Sequence, residues 1–293
     1  MKNPPTALRQ SFIQYLRLHR KAERTVHSYV SFIYALAKFY HQRPDQLHAQ
    51  QIEGWLYHLI AQRKLAPSTV NIAINALRAF YGGLLARNIQ SLLAQVQRPK
   101  RPTRVPRPYS MAEMETLLTA GTAGNLRAQA FLSTVYGGGL RLSEATHIRI
   151  QDLDGDRHRL LVSHPKGGHQ RFTLLSENLL VVLRQYYLQA RPTHWLFPGA
   201  EALEPMSKGT GQNIFYRAVH KARLPDKGGI HGLRHSFATH CLENKIEITV
   251  VQKLLGHASL QTTARYLHVR AERLAEIQSP LGLLDLSSPL TRS

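Results

Sequence analysis

Cysteine is nearly missing from this chain: Cys241 is the single one in 293 residues. One thiol excludes an intrachain disulfide and any cysteine-rich zinc site. No apolar run reaches the roughly eighteen residues of a membrane span. The start, Met1-Lys2-Asn3-Pro4-Pro5, lacks the apolar core of a signal peptide. These features together point to the cytoplasm and away from a membrane partner. There is no G-x-x-x-x-G-K-[ST] phosphate loop, no H-E-x-x-H pair and no carboxylate cluster for two metal ions. His235 and His240 do not have metal-ligand company, so no metal site is expected. Acidic residues are scarce too: 18 Asp and Glu stand against 38 Lys and Arg, a formal charge of +20.

That charge is uneven. Residues 1–109 hold 17 Lys and Arg against 3 Asp and Glu, and residues 110–293 hold 21 against 15. A basic first third with Tyr and His interleaved favours a polyanion, nucleic acid before an anionic membrane. The length suits two domains, each with its own core.

Residues 6–98 read as helices only. Leu8, Phe12, Tyr15 and Leu16 share a face. After Thr25, a candidate N-cap, Val26, Tyr29, Val30, Ile33, Ala37 and Tyr40 recur at helical spacing. A third helix carries Ile52, Trp55, Leu56, Leu59 and Ile60. A fourth starts near Pro67-Ser68 with Val70, Ile74, Leu77, Phe80 and Leu84, and sets Asn71, Asn75 and Arg78 on its other face. Residues 98–109 then hold four prolines and five cations, Arg98, Lys100, Arg101, Arg104 and Arg107. Proline excludes a helix and stiffens the segment, and the cations suit phosphates along its length. The expected division is therefore 1–97 helical domain, 98–109 tether, 110–293 second domain.

Ser110-Met111-Ala112-Glu113 is a capping box that opens the second domain. Helices lead to Gly137-Gly138-Gly139-Leu140-Arg141-Leu142-Ser143-Glu144, where glycines permit a close backbone approach, expected to be to a phosphate. Residues 147–153, 159–163 and 171–175 read as strands of a small antiparallel sheet. The last two strands are joined by His164-Pro165-Lys166-Gly167-Gly168-His169. A helix at 207–222 exposes Lys208, Arg217 and Lys221, a face that fits a major groove. Then come His231-Gly232-Leu233-Arg234-His235, an apolar stripe of Phe237, Ala238, Cys241 and Leu242, then Leu255-Gly256-His257, and Tyr266. Arginine offers a planar fork to a phosphate, histidine exchanges a proton near neutral pH, and tyrosine is a candidate covalent nucleophile.

The H-x-x-R-H, L-G-H and Y elements at these separations, with G-L-R-x-S-E upstream, resemble the tyrosine recombinases of the phage-integrase family. The likeness extends from about Ala7 to about Ala275, and the compact layout is most similar to Xer-type and transposon-borne members. It implies a mainly α fold with a small antiparallel β-sheet, arranged as a two-domain C-shaped clamp. A SAM-like core-binding domain would precede a mixed α/β catalytic domain, and the polar face of the fourth helix would meet DNA. The resemblance assigns the catalytic set Arg141, Lys166, His231, Arg234, His257 and Tyr266. Glu144 is either an orienting partner of a neighbour or a surface carboxylate.

In the implied chemistry Arg141, Arg234 and His257 hold the non-bridging oxygens. Tyr266 attacks phosphorus with His231 as base, and Lys166 protonates the departing 5′ oxygen. The resulting 3′-phosphotyrosine conserves the backbone ester, so no cofactor and no metal are expected. The implied assembly is a homo-tetramer on two duplexes of recombination-site DNA, and the resemblance leaves room for a second recombinase or accessory protein. The apolar tail 271–293, with Leu281, Leu283, Leu284 and Leu286, would pack into a neighbouring protomer or fold back on its own domain. A type IB topoisomerase-like nicking-closing enzyme and a non-catalytic DNA-binding protein are the competing readings.

Overall fold

A computed structural model of the chain describes residues 6–88, 90, 93, 107–163, 170–257 and 259–264. The chain divides into two compact units, Met1–Arg104 and Val105–Ser293. The dividing point falls inside the proline-rich tether, of which Arg98, Lys100, Arg101 and Arg104 lie outside the described residues.

The first unit contains α1 (Ala7–Leu18), α2 (Glu23–Tyr40), α3 (Ala49–Tyr57) and α4 (Pro67–Leu77). Thr6 caps α1 through its hydroxyl, which accepts from the Arg9 amide. Thr25 does not cap α2: the helix starts at Glu23, and the Thr25 amide already bonds the Ala22 carbonyl at 2.7 Å. A glutamate in the first turn suits the positive end of the helix dipole, so the earlier start is favoured. Pro67 sits at the first position of α4, where its missing N–H costs nothing. The predicted apolar positions converge: Phe12 and Leu16, Val30 and Ile33, Trp55 and Leu56, Ile74 and Leu77 are all buried. Phe12 meets Phe80 edge to face at 5.1 Å. Burying each such side chain contributes roughly 1.5–3 kcal/mol.

Asn71 departs from the prediction. It is 8% exposed, because it lies on the broad buried face of α4 with Val70, Ala73, Ile74, Ala76 and Leu77. Asn75 is half-buried and Arg78 exposed, so only the end of that polar row reaches the surface.

The second unit runs α5 (Met111–Leu118), α6 (Leu126–Gly137), α7 (Leu142–Ala145), β1 (Leu153–Asp154), β2 (Arg159–Val162), β3 (Arg171–Leu174), α8 (Glu177–Ala190), α9 (Lys208–Lys221), α10 (His231–Glu243), α11 (Ile248–Leu255) and α12 (Leu260–Ala264). The capping box is present: the Glu113 amide donates to Ser110 Oγ, and the Ser110 amide donates to Glu113 Oε2 at 2.7 Å. The strands form an antiparallel sheet in the order β1-β2-β3, ending at the Val162–Arg171 pair. The first strand is far shorter than the predicted 147–153. Residues 150–152 turn instead into a short 3-10 helix, whose Asp152 carboxylate accepts from the Arg149 amide.

Phe131, Leu132, Val135, Leu183, Phe197 and Phe215 form the centre of this unit. α10 is an interior helix, buried at Gly232, Leu233 and Arg234 and again from Ser236 to Leu242. The predicted stripe of Phe237, Ala238, Cys241 and Leu242 lies within this run. Burial pushes the Cys241 thiol up to about 11, which suits a core residue. Where the chain enters the unit, Tyr109 is fully buried, and its amide donates to Ser236 Oγ of α10 at 2.8 Å. No helix among the described residues is long and apolar enough to cross a membrane.

Candidate active site

The site is assembled around one carboxylate. Glu144, on α7, is 2% exposed. Its oxygens accept from the Arg141 amide at 2.8 Å, from Arg141 Nη1 at 2.7 Å, and from Arg171 Nη1 and Nη2 at 3.1 and 2.8 Å. Arg234 Nη1 lies 3.6 Å from Glu144 Oε2. Burial alone raises the carboxyl, but the Arg171 fork, with the backbone and side chain of Arg141, outweighs it and holds the group at about 2. Glu144 is therefore not a surface carboxylate: it is buried and paired with Arg141 and Arg171.

One negative charge against three guanidiniums leaves the cluster electropositive. The side chain of Arg141 is the most accessible of the three at 22% exposed, against 9% for Arg171 and 3% for Arg234. Arg234 donates to the Gly139 carbonyl at 2.8 Å and to the Leu255 carbonyl at 2.7 Å. It thereby ties α10 to the glycine turn and to the end of α11. Gly139 has φ +58, and a Cβ there would come within 2.4 Å of the Phe237 ring. The close approach present in this turn is thus to α10 itself.

α11 ends at Gly256 in the left-handed conformation, φ +63, and His257 follows. His257 Nδ1 pairs with Thr263 Oγ1 of α12 at 2.9 Å, and its carbonyl accepts from Gln252 Nε2 at 3.0 Å. His231 is exposed on the first turn of α10, one turn before Arg234, with its ring centroid 5.7 Å from that of His235. Arg141, Glu144 and Arg234 are thus brought together, and His257 is joined to them through the end of α11. Lys166 and Tyr266 lie outside the described residues, as do His164 and His169. Among the described residues no group of three or more His, Cys, Asp or Glu is placed to hold a metal ion.

Of the residues expected to face DNA, Arg78, Arg107, Lys208 and Arg217 are exposed. Lys221 is also exposed, and its ammonium donates to the Ala123 carbonyl at 2.6 Å. Arg171 is a site residue that no motif marks. Its signal lies in the strand period: residues 171, 173 and 175 share a parity, and Thr173 and Leu175 are buried. A cation on the inward parity requires a buried anion.

A helical unit is thus followed by a helix-and-sheet unit in which Arg141, Arg171 and Arg234 gather on one buried carboxylate, an electropositive constellation suited to an anionic substrate such as a phosphodiester. The Phage integrase family model matches residues 110–273, and the Phage integrase N-terminal SAM-like domain matches residues 8–91. The chain is 35% identical to a putative integrase/recombinase, y4qK, of Sinorhizobium fredii, over 97% of this chain and 91% of that protein. It is 32% identical to tyrosine recombinase XerD of Yersinia pestis, over 94% and 97% of the two chains. The fold is similar to that of a lambda integrase dimer bound to a COC′ core site, with TM-score 0.71 and 18% identity, covering 87% of this chain and 96% of that one. The chain belongs to the phage integrase family and is a site-specific tyrosine recombinase acting on DNA.

Proposed function

We propose that this recombinase breaks and rejoins DNA strands with Tyr266 as nucleophile. The Tyr266 hydroxyl oxygen attacks phosphorus, the bond to the 5′ oxygen breaks, and a 3′-phosphotyrosine forms. His231 takes the phenolic proton and Lys166 supplies one to the departing 5′ oxygen. Arg141, Arg234 and His257 neutralise the non-bridging oxygens as charge gathers on them. Religation reverses these steps with a different 5′ hydroxyl, and needs neither metal nor nucleotide. The observation that carries this reading is the convergence of Arg141 and Arg234, from separate elements, on the buried Glu144.

On the same reading, residues 1–97 form a core-binding domain, 98–109 a basic tether and 110–293 the catalytic domain. Asn75, Arg78, Arg98, Lys100, Arg101, Arg104, Arg107, Lys208, Arg217 and Lys221 contact the duplex. The enzyme works in the cytoplasm as a homo-tetramer on two duplexes, and residues 271–293 reach a neighbouring protomer. The test is a nicked suicide substrate that traps the covalent complex. Wild type is expected to accumulate the adduct, and Tyr266→Phe to bind DNA without forming it. An adduct that persists in Tyr266→Phe refutes the assignment.

A further inference from the structure

We propose that Arg171 is a positioning residue of the strand-transfer site: it fixes Glu144 and the end of α11 together, and through them the arginine pair and His257. This role rests on the function proposed above.

Three observations support it. First, Arg171 meets Glu144 fork to fork, with Nη1 and Nη2 on the two carboxylate oxygens at 3.1 and 2.8 Å. A bidentate pair of this kind fixes orientation as well as distance. The carboxylate is then held in the one attitude that leaves Oε1 to Arg141 at 2.7 Å and Oε2 3.6 Å from Arg234. Second, Arg171 Nε donates to the Leu254 carbonyl at 2.8 Å, beside the Leu255 carbonyl that Arg234 binds. Carbonyls in the last turn of a helix lack partners within it and carry the negative end of the dipole, so two guanidiniums lock this terminus. Third, the terminus leads through Gly256 into His257, and Gly256 lies directly against the Arg171 side chain. A Cβ on Gly256 would stand 2.9 Å from Arg171 Cδ and 3.1 Å from Nε.

Arg171 also opens β3, directly after the segment that carries Lys166. One side chain thus joins the helix bearing Glu144, the strand that follows the lysine segment, and the helix end that presents His257. All three of its nitrogens donate within the protein, to the Leu254 carbonyl and to the two Glu144 oxygens, which suits a group that acts through its neighbours.

The experiment compares wild type, Arg171→Gln and Arg171→Lys on a nicked suicide substrate. It measures DNA affinity, the single-turnover cleavage rate at saturating DNA, and thermal melting. Loss of an orienting partner typically costs about ten- to hundredfold in function. Arg171→Gln is expected to lose about that much cleavage at saturation while its Kd stays within about threefold of wild type. Arg171→Lys keeps the charge but not the fork and is expected to recover part of the loss. Removing the stranded carboxylate as well, in Arg171→Gln/Glu144→Gln, tests the route: cleavage no better than in Arg171→Gln is expected if the fork itself orients Arg141. A folded Arg171→Gln that cleaves within about twofold of wild type overturns the proposal, as does a loss confined to affinity. Failure of both single variants to fold overturns it too, because Arg171 would then be a strut of the fold. A double variant restored to wild-type cleavage also overturns it, because orientation by the fork would then be dispensable. Absence of any adduct in wild type is a different failure, that of the function proposed above.

Discussion

Replacing Glu144 by Gln keeps the side-chain volume and removes the charge on which three guanidiniums converge. The carboxyl falls from an ordinary 4.5 to about 2 in the folded protein. At about 1.4 kcal/mol per pKa unit, its ionised form contributes about 3 kcal/mol to stability. Glu144 is 2% exposed, so solvent screening removes little of this. Because the folded value is depressed, the contribution is complete above about pH 4.5 and is lost as pH falls toward 2. Glu144→Gln is therefore expected to be about 3 kcal/mol less stable at pH 7, a fall in melting temperature of roughly 6–12 °C for a unit of this size. The deficit should shrink steadily between about pH 4.5 and 2. Urea unfolding followed by Trp195 fluorescence in a Trp55→Phe background isolates the second unit. Glu113, lowered by its hydrogen bond from Lys227, and Asp154, lowered by that from Arg159, titrate in both proteins and cancel in the difference. A deficit that stays constant from pH 7 to the acid limit would refute this view of the cluster.

Three further outcomes follow from the same geometry. Gly139→Ala places a Cβ against the Phe237 ring at a positive φ; a loss of about 2–4 kcal/mol in urea unfolding is expected, and a loss below about 1 kcal/mol would contradict the packing. Arg141→Ala should lose cleavage by about a hundred- to thousandfold with a modest fall in melting temperature, because Glu144 keeps Arg171 and the residue-141 amide, whereas Arg234→Ala, which leaves the Gly139 and Leu255 carbonyls without that donor, should lose cleavage and melt earlier still. Equal melting of the two variants would count against that division. Neutralising the cations of 98–107 should weaken binding to all DNA sequences and flatten its salt dependence, and a loss restricted to one sequence would contradict a phosphate-tracking tether.

The helices are legible because their apolar positions repeat at 3.6 residues and their starts carry recognisable signals, as at Ser110 and Pro67. Periodicity does not separate Ala22 from Thr25 as the first cap of α2, and Thr25 has the better capping side chain, so the true start is hidden. Asn71 is hidden for a related reason: a polar residue at helical spacing suggests an exposed face, but the open face of α4 runs through Ser68, Ile72 and Asn75, and Asn71 falls on its buried flank. The segment 147–153 has the apolar content of a strand, yet Asp152 satisfies the Arg149 amide and turns the chain before a ladder can form. Within the site, Arg141 and Arg234 are visible through their motifs. Arg171 is not, because its importance comes from Glu144 and from the carbonyls at the end of α11, which no local pattern brings together. The glycines before Leu140 suggest room for a ligand, whereas Gly139 makes room for Phe237.

The assignment of the nucleophile is tested most directly by isolating the covalent complex formed on a nicked recombination-site substrate, digesting it, and identifying the modified peptide by mass spectrometry. The expected product is a nucleotide joined through its 3′ phosphate to Tyr266, with a 5′ hydroxyl on the released strand. Attachment to any other residue, or a 5′-phosphate link, would contradict it.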